Sequence, residues 1–328
     1  MNIPNDVDQG IELAPKRLYK YRGFSARTIE LLLSDAVFYA DPTSFNDPLD
    51  TKPCVQSDST IHELREILRR MVQQRVKEEM EGAARTIKYR GPKTLEHIEK
   101  HSVRRAQQLL DQAEYYASDP GYGAPADDAH REILTRHIRT ELMGQYGSGV
   151  FSLARRFSCP LMWSHYGDEH RGLCVGYSIP ERARSQLYRV DYGGSRLIAT
   201  SRIAAMLDGD VAARSEINAA VFLRKAKDWK YEKEWRHLGP RGLAESPFEL
   251  TDITFGIRCP DTVKHAVICS LAEREVKISF YEMHEVPNDF SLKRQSVNLE
   301  ELAHTYPNRA LSSWDTENAF DCIGGNPA

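Results

Sequence analysis

The sequence lacks most of the features that reveal a compartment or a cofactor directly. No apolar run approaches the roughly 18 to 20 residues that a membrane-spanning helix needs. A P-loop, a Rossmann glycine fingerprint and a G-x-S-x-G elbow are all absent. The six cysteines form no C-x-x-C pair, which favours reduced, mostly buried thiols. Residues 1–16 lack the basic and apolar regions of a signal peptide, so we expect a cytoplasmic protein.

The charge of the chain is nearly balanced, with 44 Lys and Arg residues against 47 Asp and Glu residues and a net charge of −3. This balance argues against a nucleic-acid-binding surface that covers the whole molecule, but it leaves room for a local basic patch. A chain of 328 residues is long enough for roughly two domains, or for one domain with a large insertion.

The pattern of apolar residues predicts an α+β fold with a mixed or antiparallel sheet, because the short strands mostly do not alternate regularly with helices. We expect residues 1–16 to be a flexible lead-in and residues 17–57 and 146–297 to form one catalytic-type α+β domain. Helical periodicity over 58–145 predicts an all-helical insertion. Residues 298–328 are expected to form a C-terminal helix and tail.

Three segments combine aromatic, charged and turn-forming residues in a way that composition does not explain. They read LYKYRGFSARTIELLLSDAVFYADPTSFNDP, FSCPLMWSHYGDEHRGLCVGY and DWKYEKEWRHL. Their motifs are an aromatic-Lys-aromatic strand, an FNDP turn, a MW-HY helix before a Gly-rich strand, and YEKEWR. In this order they resemble a bacterial domain-of-unknown-function family, number twenty-nine seventy-one. The resemblance spans most of the chain outside the helical insertion and implies no activity by itself.

A second, fold-level resemblance suggests a chemistry. A strand with a basic residue, then a helix, a strand with Tyr and a later strand with Glu is similar to the ADP-ribosyltransferase fold. Lys20 would take the first place, Tyr39 the second, and Glu234 or Glu232 the third. The resemblance implies an ADP-ribosyltransferase-like enzyme that consumes NAD as a substrate, acting as a bacterial toxin or an anti-phage defence effector.

Glu234 and Glu232 are therefore the candidate catalytic carboxylates. Cleavage of a nicotinamide–ribose bond passes through an oxocarbenium-like state, which a nearby carboxylate stabilises. On a strand over 231–238, both glutamates would share one face with Arg236. A salt bridge between Glu234 and Arg236 would explain the same pattern without catalysis.

Five residues are candidates for holding the NAD: Lys20, Tyr39, Tyr21, Asn46 and Arg236. A cation can anchor the diphosphate, and a tyrosine ring offers the nicotinamide a flat face. The simpler interpretations are a solvated lysine, tyrosines packed in the core and an Asx-type turn at FNDP.

The segment after Pro160 predicts a helix with Ser158 as its N-cap and Gly172 at its end. We expect His165, on this helix, to be a third catalytic candidate, because a neutral imidazole can bind substrate or accept a proton. The spacing H-x-x-D-x-H from His165 to His170 supplies metal-ligand types that do not converge on one helical face, so no metal is expected.

Basic residues of the helical insertion favour a second hypothesis, in which the protein is a non-enzymatic binding module of a defence system. Its helices would dock nucleic acid or an acidic partner protein. A solvated helix face is the simpler alternative, and a metal-dependent nuclease is a third. The basic residues concerned are Arg65, Arg69, Arg70, Arg75, Lys77, Arg104 and Arg105.

Overall fold

In the computed structural model, the described residues are 14–88, 91, 93–119, 121 and 123–306. The helices are α1 Ala26–Leu33, α2 Ile61–Thr86, α3 Thr94–Ala117, α4 Ala126–Gly144, α5 Pro160–Tyr166, α6 Glu181–Arg184, α7 Thr200–Leu207, α8 Val211–Phe222, α9 Asp261–Leu271 and α10 Leu299–Thr305. The strands are β1 Arg17–Arg22, β2 Ala36–Tyr39, β3 Cys54–Gln56, β4 Ser148–Ala154, β5 Leu173–Ser178, β6 Leu187–Arg189, β7 Asp191–Tyr192, β8 Leu197–Ala199, β9 Arg224–Lys225, β10 Glu234–Pro240, β11 Gly242–Glu245, β12 Glu249–Phe255, β13 Ser279–Glu285 and β14 Leu292–Ser296.

These elements confirm the α+β class, with a mixed, mostly antiparallel sheet of eight strands. The chain divides into two compact units. Unit 1 contains the residues up to Leu18 together with Val37–Arg155 and Ile179–Phe248, and unit 2 contains Tyr19–Ala36, Arg156–Ser178 and the residues from Glu249 onward. The predicted domain boundaries stay a prediction. Most of the expected lead-in, and the tail after residue 306, lie outside the described residues.

Unit 1 combines three long helices with part of the sheet. Strand β10 pairs antiparallel with β4 on one side and with β6 on the other. The predicted helical insertion contains α2, α3 and α4. Helix α2 begins with a capping box, in which the Thr60 hydroxyl accepts from the Glu63 backbone and the Glu63 carboxylate accepts from the Thr60 backbone. The apolar stripes that predicted these helices form their shared core, including Leu68, Leu110 and Leu134.

Unit 2 contains strand residues in the order β14-β13-β12-β5-β1. Strand β12 pairs antiparallel with β5 and parallel with β13. Helix α1 follows β1 after a short link, and Ser25 caps it as predicted, accepting a hydrogen bond from the Thr28 backbone at 3.1 Å. Among the described helices, none combines the length and the apolar character needed to cross a membrane.

Candidate functional site

Five charged side chains of unit 1 form one buried group, the ion cluster: Asp50, Lys225, Glu232, Glu234 and Arg236. Each of these residues is at most 9% exposed. Asp50 follows the FNDP turn, whereas the other four come from the segment around YEKEWR. The cluster therefore joins the region around YEKEWR to the residues just after the FNDP turn.

Arg236 is the centre of the ion cluster. Its Nε lies 2.8 Å from Glu234 Oε1 and its Nη2 lies 3.0 Å from Glu234 Oε2, which makes a bidentate pair. The same Nη2 donates to Asp50 Oδ2 at 2.7 Å, and Nη1 donates to the Phe222 carbonyl at 2.6 Å. Lys225 Nζ completes the cluster, 2.6 Å from Glu232 Oε2 and 3.2 Å from Glu234 Oε2.

Opposite charges in the ion cluster stabilise one another in their ionised forms. Burial alone would raise the pKa of the Glu234 carboxyl, but the charges of Arg236 and Lys225 outweigh burial and hold this pKa well below its usual range. Burial would lower the pKa values of Arg236 and Lys225, yet the surrounding carboxylates raise both. Three carboxylates thus face two cations in a sealed interior, which is the arrangement of a structural salt bridge. Catalysis by Glu234 or Glu232 stays a prediction.

The predicted strand over 231–238 was wrong at its start. A 3-10 turn covers Lys227–Glu232, and Lys233 adopts a left-handed conformation with φ 46° before β10 begins at Glu234. Glu232 therefore does not share a strand face with Glu234 and Arg236. It reaches Glu234 through Lys225, to which both carboxylates bind.

Tyr39 is packed in unit 1 against a buried histidine. Its hydroxyl lies 2.8 Å from His237 Nδ1, and His237 Nε2 lies 3.2 Å from the side-chain oxygen of Gln186. Because an amide oxygen only accepts, Nε2 carries the proton and Nδ1 accepts from Tyr39. Burial lowers the pKa of His237 to about 4 and raises that of Tyr39 to about 12. Tyr39 is 3% exposed, so its ring has the core position that was the simpler interpretation.

The remaining predicted site residues are described within the unit to which each belongs. Tyr21, in unit 2, is buried, donates to the Arg156 carbonyl at 2.8 Å and meets the Trp163 ring edge-on. Lys20 and His165 also belong to unit 2. The Lys20 side chain is partly exposed, and the His165 side chain is exposed. Asn46, in unit 1, is exposed in the FNDP turn. The structure thus gathers Glu232, Glu234 and Arg236 into one cluster.

Helix α5 is shorter than predicted, because the chain after it turns left-handed. Cys159 rather than Ser158 is the N-cap, and the helix ends at Tyr166 rather than near Gly172. The next residues include three in succession with positive φ, Asp168 at 51°, Glu169 at 51° and His170 at 72°. Such conformations are costly for residues other than glycine and are concentrated at functional sites.

The His170 side chain anchors this left-handed turn (residues 167–172). Its ring stacks on Trp163 at a centroid distance of 6.3 Å, and its Nε2 lies 3.1 Å from the Ser164 hydroxyl. Burial, followed by the charge of Arg258, lowers the pKa of His170. This lowering favours the neutral form of the imidazole.

The left-handed turn lies against the ends of two strands of unit 2. A Cβ on Gly172 would stand 2.2 Å from the carbonyl oxygen of Arg22, at the end of β1. A Cβ on Gly256, the residue after β12, would stand 2.1 Å from the carbonyl oxygen of His170. Only glycine allows these approaches. The Gly256 backbone donates to Gly172 at 2.9 Å, and the Arg258 backbone donates to His170 at 3.0 Å.

Arg22 is the residue at this place that sequence reasoning missed. It is partly buried at the end of β1, and its side chain makes no ion pair and no hydrogen bond within the described part of the chain. Burial lowers the pKa of the guanidinium, Tyr177 partly opposes this effect, and the nearby charge of Arg27 lowers the pKa further. The available signal was an arginine between a strand and the N-cap of a helix, in the segment LYKYRGFS.

Most basic residues of α2 are neutralised by neighbouring carboxylates. The pairs are Arg65–Glu114, Arg69–Glu66, Arg70–Asp208, Arg75 with Glu79 and Glu141, and Lys77–Glu99. These pairs reduce the charge that the predicted docking surface could offer a polyanion. No group of three or more metal-ligating side chains occurs among the described residues.

Comparison with known proteins gives one family-model match, over part of the chain, and no activity. Residues 162–237 match the family model described as protein of unknown function (DUF2971). This match confirms the family resemblance over that segment, which extends from α5 to His237 and includes four of the five residues of the ion cluster. No curated protein and no solved structure matches the chain.

Proposed function

We propose that the protein binds a phosphate-bearing nucleotide at the end of β1 in unit 2, with Arg22 as the main contact to phosphate. The observation that carries this proposal is the partly buried Arg22 guanidinium, which has no counter-charge among the described residues. Removing a cation from water costs free energy unless an anion accompanies it. A guanidinium donates two parallel hydrogen bonds to a phosphate, which would supply the missing partner.

The surroundings of Arg22 favour a negatively charged ligand with a flat ring. Helix α1 begins four residues later and has no acidic side chain in its first turn, so the positive end of its dipole is not neutralised there. Arg27 adds a second positive charge close to Arg22. Phe24, which is 40% exposed, offers an apolar ring on which a base can stack.

NAD is the nucleotide proposed for this site, because the sequence resembles ADP-ribosyltransferases in the order of its elements. In this proposal the fold is ADP-ribosyltransferase-like and the protein is a toxin or an anti-phage effector. Cleavage of NAD requires a carboxylate beside the ribose. Glu234, the carboxylate predicted from the sequence, is engaged in ion pairs with Arg236 and Lys225. Nucleotide binding is therefore proposed independently of cleavage.

Calorimetric titration of the full chain with NAD, ADP and inorganic phosphate tests the proposal. We expect Arg22→Ala to weaken binding about 10- to 150-fold, the equivalent of about 1.5–3 kcal/mol for a charge-assisted hydrogen bond. Arg22→Lys should be intermediate, because a lysine is a single point of charge. Arg17→Ala, at the exposed opposite end of the same strand, is the matched control and should bind like the wild type.

Two results would contradict the proposal. In one, the wild-type protein binds none of the three ligands. In the other, Arg22→Ala binds them with wild-type affinity, so that Arg22 takes no part in binding.

A further inference from the structure

We propose that Arg22 and Arg258 hold the two phosphates of a diphosphate from opposite sides of the left-handed turn. This inference rests on the proposed function and makes it narrower, because it assigns the site to nucleoside diphosphates and dinucleotides rather than to monophosphates. In this proposal Arg258 gives the preference for diphosphates over monophosphates, whereas Arg22 binds the phosphate that both ligand classes contain.

The backbone geometry places both arginines at one end of the sheet. Strands β12, β5 and β1 are neighbours in that order, and Gly172, at the start of β5, contacts both the end of β1 and the segment after β12. Adjacent strands lie about 4.8 Å apart, so the backbones of the outer two are separated by about 10 Å. Two long arginine side chains can close on a diphosphate across this distance.

The turn also fixes the position of Arg258. The backbone N–H of Arg258 donates to the carbonyl of His170, whose ring is held by Trp163 and Ser164. Burial, and after it the charge of Arg258, lowers the pKa of His170, in keeping with the backbone hydrogen bond between the two residues.

Neither acidic residue of the turn makes an ion pair with Arg22 or Arg258, although the Asp168 side chain lies against Gly23, the residue after Arg22. Arg171 lies 2.8 Å from Glu169 and 3.7 Å from Asp168, so a single arginine of the turn engages both carboxylates. Arg258 is exposed and makes no side-chain ion pair or hydrogen bond with any described residue. Arg22 likewise has none there. Two uncompensated guanidinium groups therefore border one turn.

Titrations with AMP, ADP and NAD separate the roles of the two arginines. We expect Arg258→Ala to weaken ADP and NAD binding about 10-fold or more and to change AMP binding by less than about threefold. Arg22→Ala should weaken the binding of all three. Arg171→Ala, which removes a paired arginine of the same turn, is the matched control and should leave the ratio of ADP to AMP affinity unchanged.

The possible failures are distinguishable. If Arg258→Ala leaves the ADP to AMP ratio at its wild-type value while Arg22→Ala still weakens binding, the diphosphate clamp is wrong and the nucleotide site remains. If the wild-type protein binds none of the nucleotides, both proposals are wrong. Arg258 is exposed and unpaired, so its variant should melt at the wild-type temperature, which excludes unfolding as the cause of a lost affinity.

Discussion

Two arginines of the molecule, Arg22 and Arg236, have opposite surroundings. Arg236 in unit 1 is fully buried and donates to Glu234, Asp50 and a backbone carbonyl. Arg22 in unit 2 is partly buried and has no such partner among the described residues. A cation whose partners are supplied by the protein stabilises the fold, whereas one without them is available to a ligand. We therefore assign Arg236 a role in the stability of the fold and propose a role in ligand binding for Arg22.

The largest expected effect is the loss of Arg236. Arg236→Ala would leave Glu234 and Asp50 buried with one cation fewer, and breaking a buried ion pair in this way costs about 3–5 kcal/mol. Chemical denaturation of the variant measures the free energy of unfolding. Glu234→Gln should also lose stability, because it removes a charge that two cations require. A variant of Glu234 with wild-type stability and no NAD turnover would restore the catalytic interpretation.

The second effect is a loss of stability in acid that depends on His237. The pKa of this residue is about 4 in the folded protein, against 6.5 for an unperturbed histidine. Between these values the unfolded chain binds more protons, so stability is present above pH 6.5 and falls as the pH falls toward 4. The loss is about 3 kcal/mol at most.

The matched comparison for this prediction is His237→Gln, measured by denaturation between pH 7 and pH 4. The variant should show a smaller fall in unfolding free energy over this range than the wild-type protein. Equal slopes in the two proteins would show that His237 does not titrate as the structure implies.

A smaller effect is expected at Tyr39. Tyr39→Phe keeps the ring but removes the hydroxyl that donates to His237, which should cost about 1–2 kcal/mol of stability. Because the ring is buried in unit 1, NAD affinity should not change. A loss of NAD affinity without a loss of stability would instead support the predicted role of Tyr39 in binding the cofactor.

Local signals in the sequence predicted much of the fold. Ser25 predicted the start of α1, and Pro160 predicted the start of α5. The apolar stripes predicted the positions of α2 to α4. The end of α5 was missed, because nothing in the residue types of Asp168 to His170 signals a left-handed turn. The close approaches of Gly172 and Gly256 that accompany this turn come from distant parts of the chain.

The ion cluster shows the same limit. The Glu234–Arg236 salt bridge follows from two residues on one strand face and was among the interpretations of the sequence. Asp50 and Lys225 could not be assigned as further members, because they meet Arg236 and Glu234 only after folding. Arg22 is visible in the sequence, but its lack of a partner is a property of the tertiary structure.

The most direct test of the contrast between Arg22 and Arg236 is the melting temperature of Arg22→Ala with and without saturating ADP. A ligand that binds only the folded state raises this temperature. We predict that the variant without ligand melts at or above the wild-type temperature, and that ADP raises the melting temperature of the wild-type protein much more than that of the variant. A variant that melts well below the wild-type protein and keeps the full rise with ADP would contradict the account, because Arg22 would then be a structural charge like Arg236.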